Sequence, residues 1–217
     1  MTSSTYWIKL GFVAVILALV SAIGVSLRYE THWAAAQDDH RAAMTAFIRT
    51  QAQSAGMIEE DFSTTSAERH TEVFSAYFAR IQSPEIIRIK VWNKEHTIIW
   101  SNLTETIGQQ FADNHELDEA FDGEVEMEIE KEKEEHVSER HYDEFAEIYV
   151  PVYGAEDSRT VIGVIEVYQP SIMMRDAAGE KRMKDVGVAG AISLAILGVL
   201  GLALRSKEET PSPEVTV

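Results

Sequence analysis

Glu147-Ile148-Tyr149-Val150-Pro151-Val152-Tyr153 and Val161-Ile162-Gly163-Val164-Ile165-Glu166-Val167-Tyr168 are two apolar runs joined through Gly154-Ala155-Glu156-Asp157-Ser158. Both are rich in β-branched and aromatic residues and read as long strands. Upstream, Ile86-Ile87-Arg88-Ile89-Lys90-Val91-Trp92 and Thr97-Ile98-Ile99-Trp100-Ser101 have the same character. They predict a hairpin over Asn93-Lys94-Glu95-His96. Its turn should take four residues, because no Gly stands where a tight two-residue loop needs one. Four strands within residues 85–170 therefore organise the chain.

Between the two pairs lies an acidic insert. Residues 113–147 hold sixteen Asp and Glu against Lys131, Lys133 and Arg140. Asn114 to Phe121 predicts a short helix with Asn114 as N-cap, Glu116 in the first turn and Gly123 past its end. Val125, Met127 and Ile129 alternate with Glu124, Glu126, Glu128 and Glu130, the pattern of a half-buried strand with an acidic face. Lys131 to Arg140 then predicts a charged hairpin tip.

Before the strands, Tyr29 to about Ala55 is helical in pattern. Trp33, Ala36, Ala43, Met44, Phe47, Ile48 and Gln51 fall near the i, i+3, i+4 spacing, and Gly56 ends the run. Phe62 to Thr65 reads as a loop. Thr65-x-x-Glu68 reads as a capping box for a second helix, which turns Phe74, Phe78 and Ile81 to one face and stops at Ser83-Pro84. Ser171 to Lys184 is polar and helical.

Two apolar segments bracket all of this. Leu10 to Leu27 is 18 residues without a charge, and Val186 to Leu204 is 19. Each suffices to span about 30 Å of hydrocarbon as a helix. Tyr6, Trp7, Lys9 and Arg28 flank the first as interfacial anchors. Ala34-Ala35-Ala36 offers a signal-peptide cleavage pattern, but it lies far past Leu27, so the run is read as an uncleaved anchor. The expected organisation is residues 1–9 as a short cytoplasmic N-terminus, 10–27 and 186–204 as transmembrane helices, 28–185 as an extracytoplasmic domain, and 205–217 as a disordered cytoplasmic tail. Gly187 and Ala191 give one small-xxx-small pair for helix association, and so a candidate homodimer contact.

A net charge of −17 argues against nucleic acid as partner, since phosphate binding needs excess Lys and Arg. With no Cys there is no disulfide, thiolate metal site or Cys nucleophile. Ser63, Ser66 and Ser101 lie in no Gly-x-Ser-x-Gly elbow, so the chain is read as a non-enzyme without a cofactor.

The series Val91-Trp92-Asn93-Lys94-Glu95-His96-Thr97-Ile98-Ile99-Trp100, Ile107-Gly108-Gln109-Gln110-Phe111, Glu116 to Val125, Glu147 to Tyr153 and Val161 to Pro170 resembles the extracytoplasmic sensor domain of membrane-bound bacterial histidine kinases. These belong to the Cache group, also called PAS-like or PDC domains. The resemblance covers about Arg28 to Pro170. It implies an α+β fold with a long N-terminal helix packed on a central antiparallel sheet, ligand contacts on the other sheet face, and a signal passed through the second membrane helix. It departs at the hairpin, where the family has an Asp-Gly-like pair. No phosphoacceptor His region and no Gly-rich nucleotide motif occurs in the residues after the second span, so kinase activity is not carried over.

The resemblance therefore implies a sensory input module in the cell membrane, acting on a separately encoded two-component-type signalling partner through its helices. The alternative is a membrane-anchored binding or structural protein, or the remnant of a longer sensor. Lys181, Arg182 and Lys184 before the second span outnumber Arg205 and Lys207 after it, which by itself favours the loop inside. The resemblance places it outside.

Strand parity sorts candidate site residues. Ile87, Ile89 and Val91 share a core face with Ile148, Val150 and Val152. Arg88, Lys90, Trp92, Tyr149, Tyr153, Glu166 and Tyr168 point the other way, as a pocket for a small anion or amphipathic molecule would require. The competing reading is a solvated face with Lys–Glu cross-strand pairs. Glu128, Glu130, Glu132 and Glu134 are candidate ligands for a divalent cation, which takes oxygen donors, although no EF-hand spacing is present.

The two-span plan has a direct check. Reporter fusions after Pro170 and at Val217 are expected on opposite sides of the membrane; both on one side would remove a span.

Overall fold

The computed structural model describes residues 2–63, 67–82, 85–131, 144–154 and 159–208. Thr65 of the expected capping box, Ser83-Pro84, the expected tip from residue 132 onward, and Ala155 to Ser158 lie outside the described residues. The chain divides into two compact units, Gln37–Met174 and the pair Met1–Ala36 with Arg175–Val217.

In the first unit, five strands form one antiparallel sheet: β1 (Arg88–Trp92), β2 (Ile98–Ser101), β3 (Glu126–Lys131), β4 (Glu144–Tyr153) and β5 (Val161–Pro170). Their order is β2-β1-β5-β4-β3, which puts the two longest, most apolar strands at the centre. Facing residues in the register lie on the same side of the sheet. Ile89, Val91, Ile165, Val167, Ile148 and Val150 make one continuous apolar face.

Three helices of the Gln37–Met174 unit serve that face: the part of α1 (Thr2–Ala55) from Gln37 on, α2 (Glu59–Ser63) and α3 (Ala67–Ile81). α1 presents the buried Ile48 and Ala52, and Tyr77 of α3 donates to the Ile48 carbonyl at 3.3 Å. Phe74 and Phe78 meet Trp100 of β2 with ring centroids 6.3 and 5.9 Å apart. α1 ends as its sequence requires. Gly56 takes φ +67°, with Gly56 N–H bonded to Gln53 O at 3.0 Å and Met57 N–H to Ala52 O at 3.3 Å. That pairing is the Schellman arrangement.

One expectation fails here. Phe62 and Ser63 are not loop but the end of α2. Asp61 closes that short helix at its start by accepting from Ile58 N–H at 3.0 Å, and it is buried against Arg69. Such a five-residue helix has no periodicity to read; its capping carboxylate and the packing of Phe62 hold it. Gly163 of β5 leaves the room that Phe62 fills. A Cβ built on Gly163 would lie 1.9 Å from the Phe62 ring.

The β1–β2 turn is closed by His96 N–H to Asn93 O at 3.0 Å, and the Asn93 side chain accepts from Thr97 N–H at 2.9 Å. His96 stands at φ +54°, where glycine is usual. Histidine is among the residues that enter this region more readily. The helix α4 (His115–Phe121) forms as expected: Asn114 accepts from Leu117 N–H at 2.8 Å, and Gly123 follows at φ +101°.

In the second unit, the N-terminal part of α1 and α5 (Ile172–Glu208) carry the two helices that, among the described residues, are long and apolar enough to cross a membrane. Phe12, Leu19, Ile23, Ile192, Leu194 and Leu202 are exposed along them. Ser21 and Ser193 hydroxyls lie 3.1 Å apart, and Asp185 accepts from Arg28 at 3.3 Å and pairs with His32 at 2.9 Å. α5 continues through Glu208, past the apolar run.

Gly163→Ala is expected to lower stability by about 1–3 kcal/mol, the usual range for overpacking a filled core. Denaturant unfolding of the full chain in lipid nanodiscs checks it, and Phe62→Leu in the same chain should recover part of the loss.

Candidate functional site

The second face of the sheet carries two rungs of polar and aromatic residues. Lys90 faces Glu166, which faces Tyr149, which faces Glu126; Arg88 faces Tyr168, which faces Glu147, which faces Glu128. Parity thus brings Arg88, Lys90, Trp92, Tyr149, Glu166 and Tyr168 to one side. The exposure expected of a solvated face is absent. Arg88 is 8% exposed, Trp92 1%, Tyr168 1% and Glu166 0%.

Part of the cover is a second apolar core. Trp92, Ile98, Tyr149, Val161 and Val164 pack with Leu117 and Ala120 of α4, and Phe111 meets the Trp92 ring edge-on at 5.6 Å. α4 can lie there because its apolar positions, 117 and 120, fall on one helical face. His96 stacks on Phe121 at 5.6 Å and ties the hairpin turn to the same helix.

Beyond the apolar part the rungs become a polar cluster. Glu166 Oε2 accepts from Trp92 Nε1 at 2.7 Å, and Oε1 lies 3.2 Å from Lys90 Nζ. Lys90 also donates to the Tyr168 hydroxyl, and its ammonium sits 4.6 Å from the Tyr168 ring centroid and 5.7 Å from that of Trp92. The Tyr149 hydroxyl donates to Glu147 Oε2 at 3.3 Å. Glu147 Oε1 is buried and has no hydrogen-bond partner among the described residues.

Glu147 was not among the residues that parity singled out, yet it stands two residues before Tyr149 on the same face. The signal was available as an acid at the head of the apolar and aromatic run from Ile148 to Tyr153. Burial pushes its carboxyl up to about 8, helped by the negative charge of Glu166 and Glu130 and opposed by Lys90 and the Tyr149 hydrogen bond. Burial and the carboxylates of Glu166 and Glu147 raise the Tyr149 and Tyr168 phenols well above their usual range.

Tyr153 stands apart from this cluster. It is the last residue of β4, packs against the second apolar core, and donates its hydroxyl to Gly123 O at 3.0 Å. Of the acidic candidates, Glu130 is buried at the edge of the same face and Glu128 is exposed. Glu132 and Glu134 lie outside the described residues. Among the described residues no group of three or more His, Asp and Glu is placed to hold a metal ion.

No family model matches the chain, nor does any curated protein. Among solved structures it is similar to the sensory domain of the Campylobacter jejuni chemoreceptor Tlp3 (CcmL), with 12% identity over 77% of this chain and 67% of that one, at a TM-score of 0.47. The same sensory domain with isoleucine bound gives 13%, 77%, 66% and 0.47. The ligand-binding domain in complex with L-valine gives 12%, 77%, 66% and 0.44. The chain spans about two thirds of the length of those domains. Those structures are sensory or ligand-binding domains of a chemoreceptor, not of a histidine kinase.

The raised Glu147 carboxyl fixes a sign for the pH dependence. The folded chain holds this proton up to about pH 8, whereas an unfolded glutamate releases it near 4.5. The contribution is fully present below the unfolded value and is lost as pH rises through that window, by at most about 1.4 kcal/mol per unit. Unfolding midpoints should therefore fall between those limits, and Glu147→Gln should flatten the slope.

Proposed function

We propose that the chain is a membrane-anchored sensory input module whose second sheet face recognises a small molecule bearing an ammonium group. The observation that carries this reading is Glu147 Oε1, buried beside the Lys90–Glu166 pair and without a hydrogen-bond partner among the described residues. Buried polar atoms in folded proteins are nearly always satisfied, and exceptions are candidates for function.

The balance of charge on the face favours a cation over the small anion that parity first suggested. Once Glu147 gives up its proton, Glu147, Glu166 and Glu130 outnumber Lys90 and Arg88 by one charge. An ammonium placed at Glu147 would complete its hydrogen bonding and favour the ionised carboxylate. Trp92, Tyr149 and Tyr168 supply rigid aromatic walls, which also attract cations. Arg88 stands at the β1 end of the rung that holds Glu147, so the face carries both signs and a zwitterionic amino acid is the fitting class. Two apolar helices anchor the module, the domain lies on the extracytoplasmic side, and a separate signalling protein reads the bound state through the helices.

The test is calorimetric titration of the full chain in nanodiscs with aliphatic amino acids, including valine and isoleucine, and with their N-acetyl derivatives. The free amino acids should bind and the acetylated ones should not. Affinity should rise with pH up to about 8, because binding displaces the Glu147 proton. Equal binding of both series, or none of either, contradicts the reading.

A further inference from the structure

A second site lies away from the Lys90–Glu166 cluster and shares none of its residues. The last turns of α1, residues 57 and 58, and the end of β4 enclose a cleft of about 490 Å³. That is within the range of small-molecule sites. Ala52, Met57, Ile58 and Val152 give it an apolar lining, and Arg49 and Gln53 are its charged and amide groups.

The guanidinium of Arg49 is held in place on two sides. Its Nε donates to Pro151 O at 3.1 Å, and its Cζ lies 5.0 Å from the centroid of the Tyr153 ring. Its Nη groups make no ion pair among the described residues. Glu124 and Glu126 line an adjoining cleft with Arg49, and Arg41 there is paired to Asp38 at 2.9 Å. A half-buried guanidinium fixed at Nε, with its outer fork open to a cleft, matches a carboxylate's geometry.

The surrounding donors narrow the class. Gly56 N–H is bonded to Gln53 O and Met57 N–H to Ala52 O. Ile58 N–H goes to Asp61, Gly154 N–H to Thr160 O, and the Tyr153 hydroxyl to Gly123 O. Among the described residues no cradle of free backbone N–H groups remains of the kind a phosphate or sulfate uses. One fork and one amide serve one singly charged head, and the rest of the lining suits a hydrocarbon.

From this we infer that the cleft binds an apolar monocarboxylate, an aliphatic or aryl-alkanoic acid, with its carboxylate on Arg49 and its apolar part against Met57, Ile58 and Val152. The site is independent of the amino-acid reading above.

The experiment uses the full chain in nanodiscs, with empty nanodiscs as the control for lipid partitioning. Phenylacetate is titrated alongside phenylethanol and phenyl phosphate. Phenylacetate should bind at least about tenfold tighter than the alcohol and the phosphate, and Arg49→Gln should weaken it by about tenfold or more. Arg49→Lys should restore only part of it, since the fork is lost. Gln53→Trp, at an exposed helix position, should block the cleft with Arg49 intact and the fold undisturbed. Glu166→Gln should leave phenylacetate binding unchanged. Binding of the alcohol or the phosphate as tight as that of the acid overturns the proposal. So does binding that survives both Arg49→Gln and Gln53→Trp, or is lost only in Glu166→Gln, and so does no binding at all.

Discussion

Glu166 is fully buried at the centre of the middle strand, and the second face of the sheet is arranged around its charge. An isolated carboxylate there would be driven to neutrality by loss of hydration. Lys90 across the ladder and the Trp92 indole N–H supply its partners, and the aromatic faces of Trp92 and Tyr168 in turn stabilise the Lys90 ammonium. Replacing such a pair by apolar residues is often tolerated, whereas removing one member strands the other and is worth about 3–5 kcal/mol. Lys90 and Glu166 therefore stand or fall together. Glu147, in the neighbouring rung, keeps its proton because burial excludes water and, second, because the ion pair's negative member is close.

The two faces of the sheet divide the work. The helix side is an ordinary apolar core, closed by Phe62 over Gly163 and by Trp100 against α3. The other side mixes an apolar half, under α4, with the polar half that holds the Glu147 oxygen without a partner among the described residues. Such a polar half contributes less to stability than an apolar one of equal size, which is the usual condition of a functional site.

Much of this was legible in the sequence. β-branched and aromatic runs marked four strands to within a few residues, and alternation assigned Ile89 and Arg88 to opposite faces. Asn114, Gly56 and Gly123 marked helix ends because capping and left-handed geometry depend on local chemistry alone. Three things were not legible. α2 is too short for a period. The burial of Arg88, Trp92 and Tyr168 depends on contacts distant in the chain, such as α4 and Phe111 over Trp92, and alternation says nothing of cover. The partners of Tyr153 are the third, since its contacts with the second core and with Gly123 O come from residues distant in the chain.

The claim on which the rest turns is that Glu147 is a neutral acid at neutral pH, beside a charged Lys90–Glu166 pair. Infrared spectroscopy of the full chain in nanodiscs tests it through the carbonyl stretch of a protonated glutamic acid. The account predicts a band at neutral pH that disappears well above pH 8 and is missing from Glu147→Gln. A neutral-pH spectrum in which Glu147→Gln removes no protonated-acid band would contradict it.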